Sequence, residues 1–235
     1  MNRDSEWTAV LAASSRLQSL LPDAVLIEGI QREGSGASHP GTRVSFDDDH
    51  VLTDLRERFD EVLEHLEQAE GWVTTRVNRP VLILGSLDGI ETGIRQLIRR
   101  RPLEVEEIEV PEGTVRVPTL PEMTRIKAWL VLRRNATRDY LDFVALADRM
   151  GLAAAVEAAL QLDAYYEDQA GPDGQRISTQ LAKQLAEPRP YDLSEVDLRH
   201  YRGLDPRWQS WPAVEDACRE VAIGMLSAQA DEDGV

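Results

Sequence analysis

The sequence predicts an α/β class: a small mixed sheet with flanking helices, followed by an all-helical C-terminal lobe. Three observations carry that expectation. Short apolar runs of strand length fill most of the first half of the chain, and longer runs with apolar residues at helical spacing fill the second. The change falls at Pro121, where Pro121-Glu122-Met123 after Thr119 reads as a helix start. The expected division is an α/β lobe over residues 1–120, a helical lobe over 121–230 and a disordered tail over 231–235.

From about Glu6 to Leu21, the residues Trp7, Val10, Leu11, Leu17 and Leu20-Leu21 recur at mostly helical spacing, and Pro22 closes the segment. Ala24 to Ile27 reads as a short buried strand. The Gly/Ser-rich stretch from Glu33 to Gly41 cannot be regular helix throughout. Val44 to Leu52 is the next strand, and it carries three consecutive aspartates, Asp47, Asp48 and Asp49. Leu55 to Ala69 reads as an amphipathic helix with Leu55, Phe59, Leu63 and Leu66 on one face.

Val73 to Val77 and Val81 to Leu84 are strand-like, and Ile90 to Ile98 is a further apolar run. Between Leu103 and Val110 the alternation changes face, so a bulge or break near Glu106-Glu107 is expected. Val115 to Leu120 is extended. Helices are then expected from about Pro121 to Asn135, Thr137 to Arg149, Leu152 to Asp168, Ile177 to Leu185 and Trp211 to Ala230. Turn signals at Gly171-Pro172-Asp173-Gly174 and Pro188-Arg189-Pro190 separate them.

A chain of 235 residues, 42 % hydrophobic and 29 % charged, has the composition of a soluble globular protein with one or two domains. A net charge of −16 argues against a chain-wide grip on nucleic acid, which needs clustered Lys and Arg. Any phosphate-backbone contact must come from a local patch. The candidates are Arg95, Arg99, Arg100 and Arg101, then Arg125, Arg133 and Arg134, with a solvated helix face as the alternative. Cys218 is the sole cysteine, which excludes an internal disulfide and a cysteine-based zinc site. It is expected to be a small buried apolar residue.

The N-terminus lacks the apolar core of a signal peptide, and no apolar run approaches the roughly 18 residues a membrane helix needs. A cytoplasmic, soluble protein is expected, with no membrane partner. The four histidines are too scattered for a metal site. The tryptophans are expected in the core, with a partner surface at Trp208 and Trp211 as the alternative.

In a strand, side chains alternate faces, so Asp47 and Asp49 point one way and Asp48 the other, outward. Two neighbouring carboxylates repel unless a cation sits between them, and such oxygen pairs suit Mg²⁺ or Mn²⁺. A solvated acidic turn is the alternative. Gly34-Ser35, about a dozen residues earlier, has a use beside such a pair: glycine lets backbone N–H groups approach phosphate, and serine can donate to it. Lys127 sits inside an apolar helical face, where an ammonium needs an anionic partner. Asp139 and Asp142 follow at i, i+3 on one helix face, beside Arg138. A snorkelling lysine and a helix-start network of ion pairs is the alternative there.

The order Gly34-Ser35, Arg43-x-Ser45-x-Asp47-x-Asp49, Lys127 in a helix and Arg138-Asp139-Tyr140-x-Asp142 resembles the AbiEii/AbiGii toxin family of nucleotidyltransferases, from about Ala24 to Met150. The resemblance implies a nucleotidyltransferase-type fold and transfer of a nucleotide from an NTP to an acceptor, with Mg²⁺ or Mn²⁺. It implies Asp47 and Asp49 as metal ligands and Gly34, Ser35, Arg43 and Ser45 as nucleotide-binding residues. Lys127 would hold the triphosphate or the transition state, Asp139 would complete the active face, and Asp142 would orient Lys127 or Arg138. The acceptor it suggests is the 3′ end of tRNA, and the partner an antitoxin protein.

Two departures from the family pattern stand out. Gly34-Ser35 comes several residues after the first strand rather than directly behind it, where Glu28-Gly29-Ile30-Gln31 stands. The position of the third carboxylate holds Gly93, with Glu91 two residues away as the substitute. Two rival expectations follow: a catalytically impaired protein of the same fold that binds nucleotide or a partner, and an acidic interaction protein whose helical lobe sequesters a basic partner.

Overall fold

The computed structural model of the protein describes residues 3–28, 48–171, 174–201 and 203–232. They form two compact units, one reaching Thr119 and the other running from Leu120 onward. The architecture is a five-stranded mixed sheet with flanking helices, followed by a helical C-terminal region. Gly34, Ser35, Arg43, Ser45 and Asp47 lie outside the described residues, as do the end of the expected tail and the Gly/Ser-rich stretch.

The first unit opens with α1 (Arg3–Leu20) and β1 (Val25–Glu28). It continues through β2 (Asp48–Leu52), α2 (Phe59–Gln68), β3 (Trp72–Asn78), β4 (Leu82–Leu87) and β5 (Ile90–Gln96) to the hairpin of β6 (Val105–Val110) and β7 (Gly113–Pro118). The sheet order is β1-β2-β5-β4-β3, with β2 and β5 parallel and the other neighbours antiparallel. One sheet face is sealed by α1 and α2: Leu17, Val62 and Leu66 of these helices share one core with Leu55, Trp72, Ile83, Leu87 and Ile94. The β6–β7 hairpin adds Val115 and Val117 around Leu26. Gln18 of α1 clamps it, donating to the Arg116 carbonyl at 3.0 Å and accepting from the Arg116 N–H at 2.7 Å.

Two expectations fail in this unit. The β6–β7 register is unbroken from Val105↔Pro118 to Val110↔Gly113, so no bulge interrupts Glu106-Glu107. The face carrying Ile108 and Val110 packs inward, and Val105 is left exposed. The helix expected from Leu55 begins at Phe59, because the preceding residues form a turn in which Arg58 Nε and NH2 grip the Asp54 carboxylate at 2.8 and 3.0 Å.

The second unit is helical: α3 (Leu120–Arg134), α4 (Thr137–Met150), α5 (Leu152–Leu160), α6 (Leu162–Tyr165), α7 (Ile177–Ala186) and α8 (Trp211–Glu232). Its core gathers Trp129, Tyr140, Phe143, Leu162, Leu181, Leu185, Trp208 and Met225. The single helix expected from Leu152 to Asp168 breaks at Gln161. There the Gln161 Oε1 accepts from Arg125 NH1 at 2.7 Å, Tyr165 lies under the Arg125 guanidinium and Tyr166 stacks on Trp129. Asp231 and Glu232 belong to α8 rather than to a tail. Among the described residues no helix is long and apolar enough to cross a membrane.

Candidate active site

Adjacent aspartates on β2 serve opposite faces of the sheet. Asp48 is opposite Thr92 of β5 and wholly buried under α1. Ser14 Oγ donates to Asp48 Oδ1 at 2.5 Å, Thr92 Oγ1 to Oδ2 at 3.5 Å, and His50 Nδ1 lies 3.6 Å from Oδ1. Burial pushes the Asp48 carboxyl above its ordinary pKa, against the opposing pull of His50 and Ser14. Asp48 is therefore not the outward-facing member of the run. The period-2 alternation holds, but the face opposite Asp49 is roofed by a helix instead of by water.

Asp49 faces away from α1, onto a cleft among the described residues. Its register partner is Gly93, and its carboxylate lies where a side chain at position 93 would have to go: a Cβ built on Gly93 overlaps Asp49 Oδ1. The missing third carboxylate thus has a steric counterpart, since Gly93 is the residue that accommodates Asp49 as it lies. Arg95, two residues along the same face of β5, sets its Nε 3.4 Å from Asp49 Oδ1 and its NH2 3.4 Å from Oδ2. The surrounding cleft, of about 520 Å³, is lined by Thr75, Leu84, Ser86 and Glu91 as well as Asp49 and Arg95. Glu91 is exposed at this cleft.

In the second unit, α3 and α4 form a helical hairpin about Asn135, which adopts φ of 50°. Asn135 Oδ1 accepts from Tyr140 Oη at 2.6 Å and from Gln184 Nε2 at 3.0 Å. Ala136 offers no capping side chain, and Asp192 acts in its place: its Oδ1 accepts from the N–H and the Oγ1 of Thr137, both at 2.7 Å. This corner brings Lys127 of α3 onto Asp142 of α4, with Nζ 3.0 Å from Oδ2 and both side chains almost fully buried.

Asp139 is also buried, with its Oδ1 3.8 Å from Arg134 NH1 and its Oδ2 without a hydrogen-bond partner among the described residues. Desolvation raises the Asp139 carboxyl above its ordinary pKa, and Arg134, Arg138 and Lys127 oppose the rise. Arg138 is exposed. Of the two partners expected for Asp142, Lys127 is in ion-pair contact with it.

The arginine patch dissolves in part. Arg99 is buried and donates to the carbonyls of Arg101 and Pro102. Arg125 is buried against Glu122, whose Oε2 accepts from its Nε at 3.2 Å and its NH2 at 2.9 Å. Arg95 belongs to the cleft. Arg100, Arg101, Arg133 and Arg134 are exposed. The sequence reading missed the contact of Arg95 with Asp49, and the signal available was Arg95 standing two residues after Gly93, on its strand face.

Among the described residues, no group of three or more His, Cys, Asp or Glu side chains is placed to hold a metal ion. The donor chemistry still suits a hard cation: Asp49 turns a carboxylate to an open cleft that Glu91 also lines, and Mg²⁺ and Mn²⁺ favour such oxygens.

No family model matches the chain. It is 36 % identical over 129 residues to the heme uptake protein MmpL11 of Mycobacterium tuberculosis, a match covering 54 % of this chain and 13 % of that protein. The mycolic acid-containing lipids exporter MmpL11 of Mycolicibacterium smegmatis is 33 % identical over 129 residues, with the same coverage. The chain thus spans about 13 % of the length of the curated relatives it matches. Among solved structures it is similar to MenT4, a nucleotidyltransferase toxin of M. tuberculosis, with a TM-score of 0.53 and 18 % identity over 97 % of this chain and 87 % of that one. The five-stranded mixed sheet, flanking helices and helical C-terminal region fit that likeness: the chain carries a nucleotidyltransferase-type fold.

Proposed function

We propose that the protein is a metal-dependent nucleotidyltransferase that moves a nucleotide from an NTP to an acceptor hydroxyl, at the 3′ end of tRNA, as a growth-inhibiting toxin held in check by an antitoxin protein. The observation that carries this reading is Asp49, whose carboxylate faces the open cleft of a nucleotidyltransferase-type sheet while its neighbour Asp48 is sealed away. In the reaction the acceptor oxygen attacks the α-phosphorus, the bond from that phosphorus to the α,β-bridging oxygen breaks, pyrophosphate leaves, and the hydroxyl proton passes to solvent. Asp47 and Asp49 would hold Mg²⁺ or Mn²⁺, which when bound lowers the pKa of the attacking hydroxyl and neutralises developing charge.

Gly34, Ser35, Arg43 and Ser45 receive the nucleotide, Lys127 binds its phosphates and Asp139 completes the active face. Asp142 positions Lys127 through their buried ion pair. The helical lobe is a separate domain, and the cytoplasm, which supplies NTP and tRNA, is the site of action.

A second reading, a protein of this fold that binds nucleotide without transferring it, is favoured by Gly93 and by the ion pair of Arg95 on Asp49. Incubation with labelled NTPs, Mg²⁺ and total tRNA separates the two. Label transfer that disappears in both Asp49→Ala and Lys127→Ala supports the transferase. Nucleotide binding without transfer by the wild-type protein supports the second reading.

A further inference from the structure

We propose that Arg95 couples nucleotide binding to cation loading at Asp49. In the free protein it holds Asp49 in an ion pair; when a nucleoside triphosphate enters, its guanidinium moves to the phosphates and releases Asp49 to the cation. The proposal rests on reading the cleft as a nucleotide site.

Three observations converge on it. Arg95 addresses both oxygens of Asp49 side-on, through Nε and NH2, each at 3.4 Å. A cation at Asp49 needs those same oxygens, so guanidinium and metal compete. Gly93 contributes no side chain between them, and the arm of Arg95 reaches the carboxylate across that gap. The two partners also differ in freedom: the Asp49 side chain is 12 % exposed and that of Arg95 41 %. The carboxylate is therefore the fixed member and the guanidinium the one able to move.

Chemistry gives the direction of the exchange. A half-exposed ion pair at this separation is weak. A phosphate chain offers the planar guanidinium paired, more highly charged oxygens, which it grips through two parallel hydrogen bonds. A triphosphate thus draws Arg95 away at little cost, and the Asp49 oxygens that Arg95 occupied open to the cation when nucleotide is present.

The test uses two probes in the absence of turnover: a fluorescent ATP analogue binding in EDTA, and Mn²⁺ alone measured by electron paramagnetic resonance. Arg95→Gln is expected to bind the nucleotide about fivefold more weakly and Mn²⁺ about fivefold more tightly than wild type. Asp49→Asn added to Arg95→Gln is expected to abolish the gain in Mn²⁺ affinity, and Arg95→Lys to stay close to wild type for Mn²⁺. Damage to the fold weakens both affinities, so the opposite signs are the signature. Because neither probe requires transfer, a protein that never transfers a nucleotide refutes the transferase and leaves the coupling standing. Unchanged affinities in Arg95→Gln, losses in both, or a Mn²⁺ gain that survives Asp49→Asn would overturn it.

Discussion

The Nζ of Lys127 lies 3.0 Å from the Oδ2 of Asp142, across the hairpin of α3 and α4 and almost entirely out of solvent. Removing one member of a buried pair takes from the other its opposite charge at 3.0 Å in a low-dielectric interior, which costs more than the pair itself contributes. Asp142→Leu is therefore expected to lose about 3 kcal/mol of stability in urea unfolding, and Lys127→Met with Asp142→Leu to regain most of it. A loss below about 1 kcal/mol in the single variant would mean that water reaches the pair.

Gly93 and Asp49 are coupled through space. A Cβ at position 93 overlaps Asp49 Oδ1 and comes within 3.3 Å of Leu84 Cδ2. Gly93→Ala is expected to cost about 1–3 kcal/mol and to turn the carboxylate from its present position. In an Asp49→Ala background the same change is expected to cost about 1 kcal/mol less, a coupling that a double-mutant cycle of unfolding free energies measures.

Asp139 sets a pH dependence. Its folded-state pKa is raised by burial, so the native protein holds a proton that the unfolded chain has released. Stability then falls as pH rises from the ordinary carboxylate range through the raised value. Asp139→Asn removes this slope: relative to wild type, the variant is expected to gain stability as pH rises through that window, with the difference constant below it. Parallel urea titrations of the two proteins across pH check this, and parallel curves refute it.

Cys218 is fully buried, and burial pushes its thiol pKa far above the ordinary value. Thiolate, the reactive form, is therefore scarce and inaccessible. A disulfide reagent such as dithiobis-nitrobenzoate is expected to label the native protein at the rate of its unfolding, and promptly in urea. Prompt labelling without denaturant would contradict the packing of α8.

Much of the fold was legible from pattern. The helices α3, α4, α7 and α8 lie where apolar periodicity predicted them, because packed amphipathic helices keep their stripe over several turns. The misreadings share a cause in contacts between distant residues. The break at Gln161 accompanies its bond to Arg125, 36 residues earlier. The face of β6 that packs inward depends on Leu26 and β7. Of the candidate site, Asp49, Glu91, Lys127, Arg138, Asp139 and Asp142 lie among the described residues, and Gly34, Ser35, Arg43, Ser45 and Asp47 do not.

The sequence by itself determined that Asp48 and Asp49 part to opposite faces, since alternation is a property of any strand. It also placed Lys127 in an apolar helix face, where a charge demands a partner. Only the tertiary structure decided which face of β2 is roofed: α1 crosses it and brings Ser14 onto Asp48 from 34 residues away. The parallel pairing of β2 with β5 likewise set Gly93 opposite Asp49 and brought in Arg95, 46 residues on. Strand alternation is a local property, whereas the partner on either side is chosen by the packing of segments far apart in the chain.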